Sequence, residues 1–275
     1  MPAPARLRHT AAWTLALAAL AMIGAVLLST SSDGEPLPEC RAAGVACLQV
    51  EVLRRYPHDR HHFTQGLEYH DGRLYEGTGG YGTSVVAVYE LSSGRGLARV
   101  ALAPGLFGEG LTLSGSELLQ VTWQEGTLLR WQPDTLAPLG TLRYRGDGWG
   151  LCRAGDRLVM SDGSSRLTLR DPASFEPTGQ LDVTLGGRAL SGLNELECVD
   201  GAVYANLWPS ERIARIDGAT GEVTALIDAS GLLSATERRG TDVLNGIAWR
   251  PDAGTFLITG KNWPYLYEVQ FVPAQ

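Results

Sequence analysis

The chain has 275 residues and a formal net charge of −7, with 44% hydrophobic and 19% charged residues. This composition is typical of a folded globular protein and excludes a disordered or fibrous chain. The acidic balance argues against nucleic acid as a partner, since proteins that bind it usually present a basic face. The 34 glycines favour a fold with many tight turns.

The N-terminal segment predicts transport across a membrane. Arg6 and Arg8 precede an 18-residue apolar run over residues 11–28, and polar residues follow it. A basic flank before an apolar run is typical of an export signal, and a run of this length also suffices for a membrane anchor. Both a cleaved signal and an anchor stay open for residues 1–33. Either one predicts a periplasmic or extracellular protein.

The four cysteines fit an exported protein, in which disulfides persist. Cys40 and Cys47 lie in a loose, proline-containing leader over residues 34–47 and are close enough to close a short loop. Cys152 and Cys198 lie on segments that we expect to face the core, so we interpret them as two small buried hydrophobic residues. The spacing of the four does not match a zinc site.

A short motif recurs five times: a polar or aromatic residue, then glycine or glutamate, then an aliphatic residue. The five copies, which we call heads, are residues 65–67 (QGL), 109–111 (EGL), 149–151 (WGL), 194–196 (NEL) and 245–247 (NGI). Their central positions 66, 110, 150, 195 and 246 are spaced by 44, 40, 45 and 51 residues. Repeats of about 40–50 residues are typical of propeller blades.

Each repeat contains segments that predict short β-strands joined by turns, four in a complete copy. The fifth copy lacks its fourth strand, whereas residues 48–54 predict an extra strand ahead of the first copy. We therefore predict an all-β fold, a five-bladed β-propeller over residues 48–275 whose last blade is completed by the N-terminal strand. Such closure removes the open sheet edges.

The heads are expected to gather at one mouth of the propeller tunnel. The first strand of each blade lines the tunnel, and its head lies beside the end of the second strand. The side chains collected there are Gln65, Glu109, Trp149, Asn194, Glu195, Asn245, Trp123, Asp162, Trp208, Lys261, Asn262 and Trp263. An apolar-walled concavity with a few polar groups is the usual form of a ligand pocket. The tryptophans could also pack between blades, and the amides could satisfy backbone groups.

Glu109 is the strongest candidate for chemistry at this mouth. A carboxylate between two glycines and near several indoles is costly to bury without a partner. We expect that setting to raise its pKa and to make it a proton carrier near neutral pH. Glu195 has a second interpretation, as half of a salt bridge with Lys261.

Two other clusters receive structural interpretations. His58, His61 and His62 precede the first repeat and are interpreted as an exposed charged loop rather than a metal site. Residues 162–165 (DGSS) link two strands, so they do not form the strand-to-helix turn that exposes a nucleophilic serine.

Eight motifs resemble those of the plant-type glutaminyl-peptide cyclotransferases, a family that also has bacterial members. They are residues 63–67 (FTQGL), 107–112 (FGEGLT), 148–150 (GWG), 161–165 (SDGSS), 193–196 (LNEL), 204–208 (YANLW), 243–247 (VLNGI) and 259–263 (TGKNW). The resemblance covers all five repeats. It implies a five-bladed propeller that is unrelated in fold to the zinc-dependent animal enzymes.

The resemblance implies conversion of the N-terminal glutaminyl residue of a peptide or protein into pyroglutamyl, with release of ammonia. The α-amine attacks the γ-carboxamide of the same residue, and one carboxyl group can move the proton. It implies Glu109 as general acid and base, with Gln65, Asn194 and Lys261 as candidates to hold the amide and the developing oxyanion. The residues expected to bind substrate are Phe63, Phe107, Trp123, Trp149, Trp208, Glu195 and Asn245. No cofactor is expected, and a cation in the tunnel stays open.

Two other functions stay open. A non-catalytic exported propeller would bind peptides or sugars through its indoles without turnover. A metal-dependent propeller hydrolase would need several inward carboxylates and amides on one cation, to which Glu109, Asn194 and Asn245 could contribute. We expect a monomer that acts on a peptide or protein, has no nucleic-acid partner, and has residues 11–28 as its candidate membrane anchor.

Overall fold

The computed structural model describes residues 38–274, and most of them lie in β-strands. A short helix and a long strand precede the repeats: α1 (Pro38–Ala43) and β1 (Ala46–Pro57). The first repeat comprises β2 (Thr64–His70), β3 (Arg73–Thr78), β4 (Val85–Glu90) and β5 (Gly96–Ala101). The second comprises β6 (Gly108–Ser114), β7 (Glu117–Thr122), β8 (Thr127–Trp131) and β9 (Pro138–Arg143).

The remaining repeats follow the same order. The third comprises β10 (Leu151–Ala154), β11 (Arg157–Met160), β12 (Arg166–Arg170) and β13 (Pro177–Asp182), and a small hairpin follows, β14 (Thr184–Leu185) and β15 (Arg188–Ala189). The fourth comprises β16 (Leu193–Val199), β17 (Ala202–Leu207), β18 (Arg212–Asp217) and β19 (Val223–Asp228). The last comprises β20 (Leu244–Arg250), β21 (Thr255–Gly260) and β22 (Tyr265–Pro273).

The repeats form sheets whose first strands meet around a common axis. Each of the first three repeats is a separate four-stranded sheet with its strands in sequence order. The first strands of successive repeats are neighbours in the ring β2, β6, β10, β16 and β20, and β20 returns to β2. The all-β, propeller-like class predicted from the repeats is confirmed.

Strand β1 completes the sheet of the last repeat, and it does more than the sequence predicted. It pairs antiparallel with β22, which adds the fourth strand that the last repeat lacks. It also pairs in parallel with β19, so the last two repeats share one eight-stranded sheet. Because β1 has a partner on each side, neither β19 nor β22 presents an open edge there.

The glycines of the heads allow the inner strands to approach backbone to backbone. A Cβ atom on Gly66 would lie 2.6 Å from the backbone nitrogen of Leu111, and one on Gly110 would lie 2.6 Å from that of Leu151. Any side chain at these positions would force neighbouring strands apart. The repeated glycine is therefore a packing requirement of the ring.

The four cysteines form two disulfides. Cys40 and Cys47 are joined, as their spacing allowed, and the bond ties α1 to β1. The interpretation of Cys152 and Cys198 as unpaired buried residues was wrong, because they are joined as well, with Cα atoms 5.5 Å apart. They lie on β10 and β16, which are adjacent in the ring, so the bond links two blades. The segment expected to be a loose leader thus contains a helix whose Cys40 is fully buried.

Among residues 38–274, no helix has the length and apolar character needed to cross a membrane. The predicted signal or anchor over residues 11–28 lies outside the described residues.

Candidate active site

A cavity of about 170 Å³ lies where the heads converge. Its lining residues are Phe63, Gln65, Phe107, Glu109, Trp123, Trp149, Asn194, Trp208 and Lys261. Every one of them was expected at the tunnel mouth or in the binding site from the sequence. Its wall is aromatic and its polar groups are few, as in most small-ligand sites.

A β-bulge at four of the five heads directs the polar side chains into this region. The pairing of first and second strands shifts register between Thr64 and Gly66 in β2 and between Gly108 and Leu111 in β6. The same shift occurs in β16 and β20. A bulge leaves its extra residues out of the ladder and turns their side chains. Gln65 and Glu109 are such extra residues.

Glu109 is nearly enclosed, with 4% of its surface exposed. Its Oε1 accepts a 2.8 Å hydrogen bond from Gln65 Nε2, and its Oε2 has no hydrogen-bond partner among the described residues. Burial raises the pKa of Glu109 well above its ordinary value, the charge of Lys261 offsets part of the rise, and the charges of Glu125 and Asp147 add to it. The raised pKa expected from the sequence is confirmed.

Lys261 supplies the positive charge of the cavity. It follows β21 directly, and its Nζ lies 4.7 Å from the centre of the Phe63 ring, a cation–π distance. Burial lowers its pKa, and the negative charges of Glu109 and Asp242 offset part of that effect. A lysine held this way disfavours a second positive charge beside it.

Three buried polar atoms of cavity residues have no hydrogen-bond partner within residues 38–274. They are Oε2 of Glu109, Oδ1 of Asn194 and Nε1 of Trp149. An unpaired buried polar atom is costly, so these three atoms are available to hydrogen-bond a polar ligand in the cavity. The set offers a proton carrier, an acceptor and a donor. The indole donor of Trp149 was not foreseen, because the sequence suggested only an apolar wall at that position.

The aromatic wall has an inner and an outer part. Phe107 makes edge contacts with Phe63, Tyr81 and Trp123, at centroid distances of 6.4, 5.4 and 5.5 Å. Across the cavity, Trp149 contacts Trp208 edge-on at 5.9 Å. Trp208 is 49% exposed, so this ring forms part of the entrance. The remaining wall excludes water from the carboxyl group, which strengthens electrostatic interactions inside.

The sequence profile of the glutamine cyclotransferase family matches residues 19–271. This chain belongs to that family. It is 39% identical over 231 residues to a glutaminyl-peptide cyclotransferase of Arabidopsis thaliana, an alignment that covers 82% of this chain and 72% of the relative. It also matches the glutaminyl cyclase structure of Myxococcus xanthus, with a TM-score of 0.75 at 38% identity over 84% of this chain and 100% of that one. A calcium-binding regucalcin of Agrobacterium tumefaciens shares the fold, with a TM-score of 0.51 at 14% identity over 83% and 96% of the two chains.

Two residues expected to bind substrate do not line the cavity of this glutamine cyclotransferase family member. Glu195 is fully buried, and its carboxylate accepts hydrogen bonds from the backbone N–H groups of Leu67 in β2 (3.2 Å) and Ile247 in β20 (2.7 Å). These bonds replace the suggested salt bridge with Lys261 and explain why glutamate stands where the other heads have glycine. Asn245 is also buried, and it contacts Gln65 instead of the cavity.

The other residues expected at the mouth make hydrogen bonds that hold loops in place. Asp162 accepts hydrogen bonds from the backbone and hydroxyl of Ser164. Asn262 donates to the carbonyl of Arg60, and Trp263 is fully buried with its Nε1 bonded to the carbonyl of Asp242.

The histidine cluster differs from the exposed loop that was predicted. His61 is exposed, but the side chains of His58 and His62 are enclosed and hydrogen-bonded to opposite oxygens of buried Glu76, at 3.0 and 2.7 Å. These three residues bring potential metal-ligand atoms within 4.8 Å of one another. Thr64 and Tyr89 also donate to Glu76, so its oxygens accept four hydrogen bonds in all and the cluster is satisfied without an ion. We assign it a structural role.

Proposed function

We propose that this chain cyclises N-terminal glutaminyl residues of peptides and proteins to pyroglutamyl residues and releases ammonia. Its family membership and two relatives that are 38–39% identical to it support this activity, which makes it an acyltransferase. The observation that carries the mechanism is the buried carboxyl of Glu109, whose Oε2 has no hydrogen-bond partner in the described part of the chain and lies at the cavity. A cavity of about 170 Å³ suits one glutaminyl side chain and its amine.

In the proposed reaction Glu109 moves one proton twice. As the carboxylate it takes a proton from the α-amine while the amine nitrogen forms a bond to the side-chain carbonyl carbon. It returns that proton to the amide nitrogen, whose bond to the same carbon breaks, and ammonia leaves. The carboxylate is regenerated and the proton count balances. Its raised pKa brings it closer to the pKa of an α-amino group, near 7.7–8.0, which makes both transfers feasible at neutral pH.

The other polar groups hold the reactants. Gln65 already donates its amide N–H to Glu109, so in this proposal it positions the carboxyl group instead of binding the substrate amide. Asn194 Oδ1 accepts a substrate N–H, and Trp149 Nε1 donates to a substrate carbonyl oxygen. Lys261 stabilises the oxyanion that develops on the side-chain carbonyl. Its charge also disfavours the protonated amine, which cannot attack.

We further propose that no cofactor takes part and that the protein works outside the cytoplasm as a monomer. The reaction needs proton transfer and displacement within one residue, which the side chains at the cavity supply. Two disulfides support an oxidising compartment, and the basic flank before residues 11–28 supports export, with that run as signal or anchor.

A cyclisation assay tests the proposal directly. The purified protein, incubated with a Gln-initiated peptide, should release one ammonia per peptide and lower the peptide mass by the same amount. A peptide of the same sequence with N-terminal Asn should be unchanged, because its side chain is one methylene shorter. Rates should be equal with and without a chelator. Saturable binding without turnover would favour the non-catalytic propeller, and loss of activity with the chelator would favour the metal-dependent hydrolase.

The pH profile should respond to the charges around Glu109 in opposite directions. Lys261→Met removes a positive charge that lowers the Glu109 pKa, so the acid limb of kcat/KM should move up by about one pH unit. Asp147→Asn removes a negative charge that raises the Glu109 pKa. The acid limb of kcat/KM should therefore move to lower pH, by a smaller amount. The substrate amine titrates identically in all variants and cancels in the comparison. Shifts in the same direction would contradict Glu109 as the titrating group.

A further inference from the structure

Asn245 lies beside the cavity but outside its wall. It is fully buried at the bulge of β20, and its Nδ2 donates two hydrogen bonds of 3.0 Å, one to the backbone carbonyl of Thr64 and one to Oε1 of Gln65. Gln65 Nε2 in turn donates to Oε1 of Glu109 at 2.8 Å. One chain of hydrogen bonds therefore runs from a backbone carbonyl to the carboxyl group.

The carbonyl of Thr64 determines which group donates in each of these hydrogen bonds. A carbonyl oxygen can only accept, so the Asn245 amide must turn its NH₂ group toward Thr64. The same NH₂ group faces Gln65, which must therefore present its oxygen to Asn245 and its own NH₂ group to Glu109. The orientation of the Gln65 amide is thus fixed independently of whether Glu109 is ionised.

A fixed donor acts differently on the two forms of Glu109. It stabilises the carboxylate, because a charged acceptor strengthens the bond. A protonated carboxyl group would instead donate to the amide oxygen if the Gln65 side chain could turn. Asn245 prevents that turn and keeps the proton off Oε1. The proton then resides on Oε2, the oxygen that has no hydrogen-bond partner within residues 38–274.

We propose that Asn245 is a positioning residue for cyclisation: it holds the Gln65 amide so that Oε1 of Glu109 stays hydrogen-bonded and Oε2 carries the transferred proton. The inference rests on the proposed function, since it concerns the same carboxyl group. Asn245 is not a catalytic residue, because it does not line the cavity.

Other titratable groups also face Glu109 and must stay constant in a test. They are Lys261 after β21, Glu125 between β7 and β8, Asp147 between β9 and β10, and the phenols of Tyr81 and Tyr144. The two side-chain hydrogen bonds of Asn245 in the described part of the chain go to none of these groups. Substitution of Asn245 therefore acts on Glu109 through Gln65.

Asn245→Leu removes the donor, keeps the number and branching of the side-chain heavy atoms, and adds no charge. Gln65 can then turn its oxygen toward protonated Glu109, so the acid limb of kcat/KM for a Gln-initiated peptide should move up by about one pH unit. KM should change less than kcat, because Asn245 does not touch the substrate. Gln65→Met should move the limb in the same direction. Adding Asn245→Leu to Gln65→Met should shift it no further.

Asn206→Leu is the matched control. Oδ1 of buried Asn206 accepts a 2.9 Å hydrogen bond from the N–H of Gly246, so it supports the same bulge without reaching Gln65. This variant should lose thermal stability while its acid limb stays in place. If Asn245→Leu does not fold, Asn245→Ser takes its place, because the short hydroxyl keeps a donor near Thr64 but does not reach Gln65.

The outcomes separate this inference from the proposed function. An unmoved acid limb in a folded Asn245 variant, or shifts that add in the double variant, overturns the positioning role while wild-type turnover stands. Absence of ammonia release by the wild type overturns the proposed function itself.

Discussion

Glu109→Gln is expected to lower kcat for cyclisation of a Gln-initiated peptide by a factor of about 10²–10⁴, the usual contribution of a general acid and base. The substituted amide keeps the size of the side chain and can still bond to Gln65, but it cannot take up and return a proton. KM should change much less than kcat, because the aromatic wall remains intact. Steady-state measurement of ammonia release over a range of peptide concentrations gives both constants.

Glu117→Gln is the matched control for this substitution. Glu117 begins β7, the strand that pairs with the strand of Glu109, but its carboxylate lies at the solvent-accessible end in an ion pair with Arg130. The control should retain wild-type kcat and lose about 1 kcal/mol of stability, because the ion pair is bidentate. Full activity of Glu109→Gln alongside an active wild type would remove Glu109 from the proton path and leave the family assignment untouched.

Most of the cavity follows from the sequence because the repeat period and strand alternation fix it. Trp123 lies far from Phe107 along the chain, yet hairpin pairing places its N–H on the Phe107 carbonyl at 3.0 Å. In any antiparallel hairpin the head of one strand adjoins the end of the next. Seven of the nine lining residues could therefore be named once the heads were recognised, whereas Phe63 and Phe107 were expected only from the family resemblance. The bulges, which aim Gln65 and Glu109, have no comparable signal beyond their glycines.

The sequence does not predict which residues of neighbouring blades contact each other. The alternation of apolar and polar residues indicates which face of a strand a residue occupies. It does not indicate which residue of the neighbouring blade lies opposite. Cys152 and Cys198 therefore appeared as separate core residues, although β10 and β16 bring them together. The hydrogen bonds of Glu195 could not be foreseen for the same reason, because its partners Leu67 and Ile247 belong to the inner strands of two other repeats, β2 and β20.

The histidine cluster shows a second limit, since loops rich in charge are usually exposed. His58 and His62 are buried because Glu76, on β3, lies between them and offers one oxygen to each. Glu76 lies in a strand whose apolar and polar residues alternate in the usual way. The sequence therefore does not indicate that its carboxylate is buried. The cluster also makes a hydrogen bond to the chain segment that carries Lys261. His58 Nδ1 bonds to the carbonyl of Trp263 at 2.8 Å, two residues beyond Lys261.

Glu76→Gln is expected to lower the free energy of unfolding by about 3–5 kcal/mol, the usual result of removing one partner of a buried ion pair. Glu76 is fully buried and accepts four hydrogen bonds, two of them from the imidazoles. A glutamine of the same shape has one oxygen and one NH₂ group. One imidazole and one hydroxyl would then face a donor, and the histidines would lose their counter-charge. Denaturant unfolding at pH 6 measures the loss.

The loss should depend on pH in a defined way. Burial alone would raise the pKa of Glu76, but the positive charges of His58 and His62 outweigh it and hold the pKa well below its ordinary value near 4.5. Burial alone would lower the pKa of each histidine, but Glu76 outweighs it and raises both above 6.5. A lowered carboxyl pKa stabilises above its unfolded value, and a raised histidine pKa stabilises below its own. The difference between wild type and variant should therefore be greatest between about pH 4.5 and 6.5.

Outside that window the difference should shrink on both sides. It falls at higher pH as the histidines of the wild type lose their protons, and at lower pH as Glu76 gains one. Glu90→Gln is the control, because the Glu90 carboxylate is 41% exposed on the neighbouring strand β4 and its loss should cost no more than about 0.5 kcal/mol at any pH. A loss that is constant from pH 4 to 9 would show that the cluster acts by packing alone. A bell-shaped loss would show that the charges of the cluster stabilise the fold.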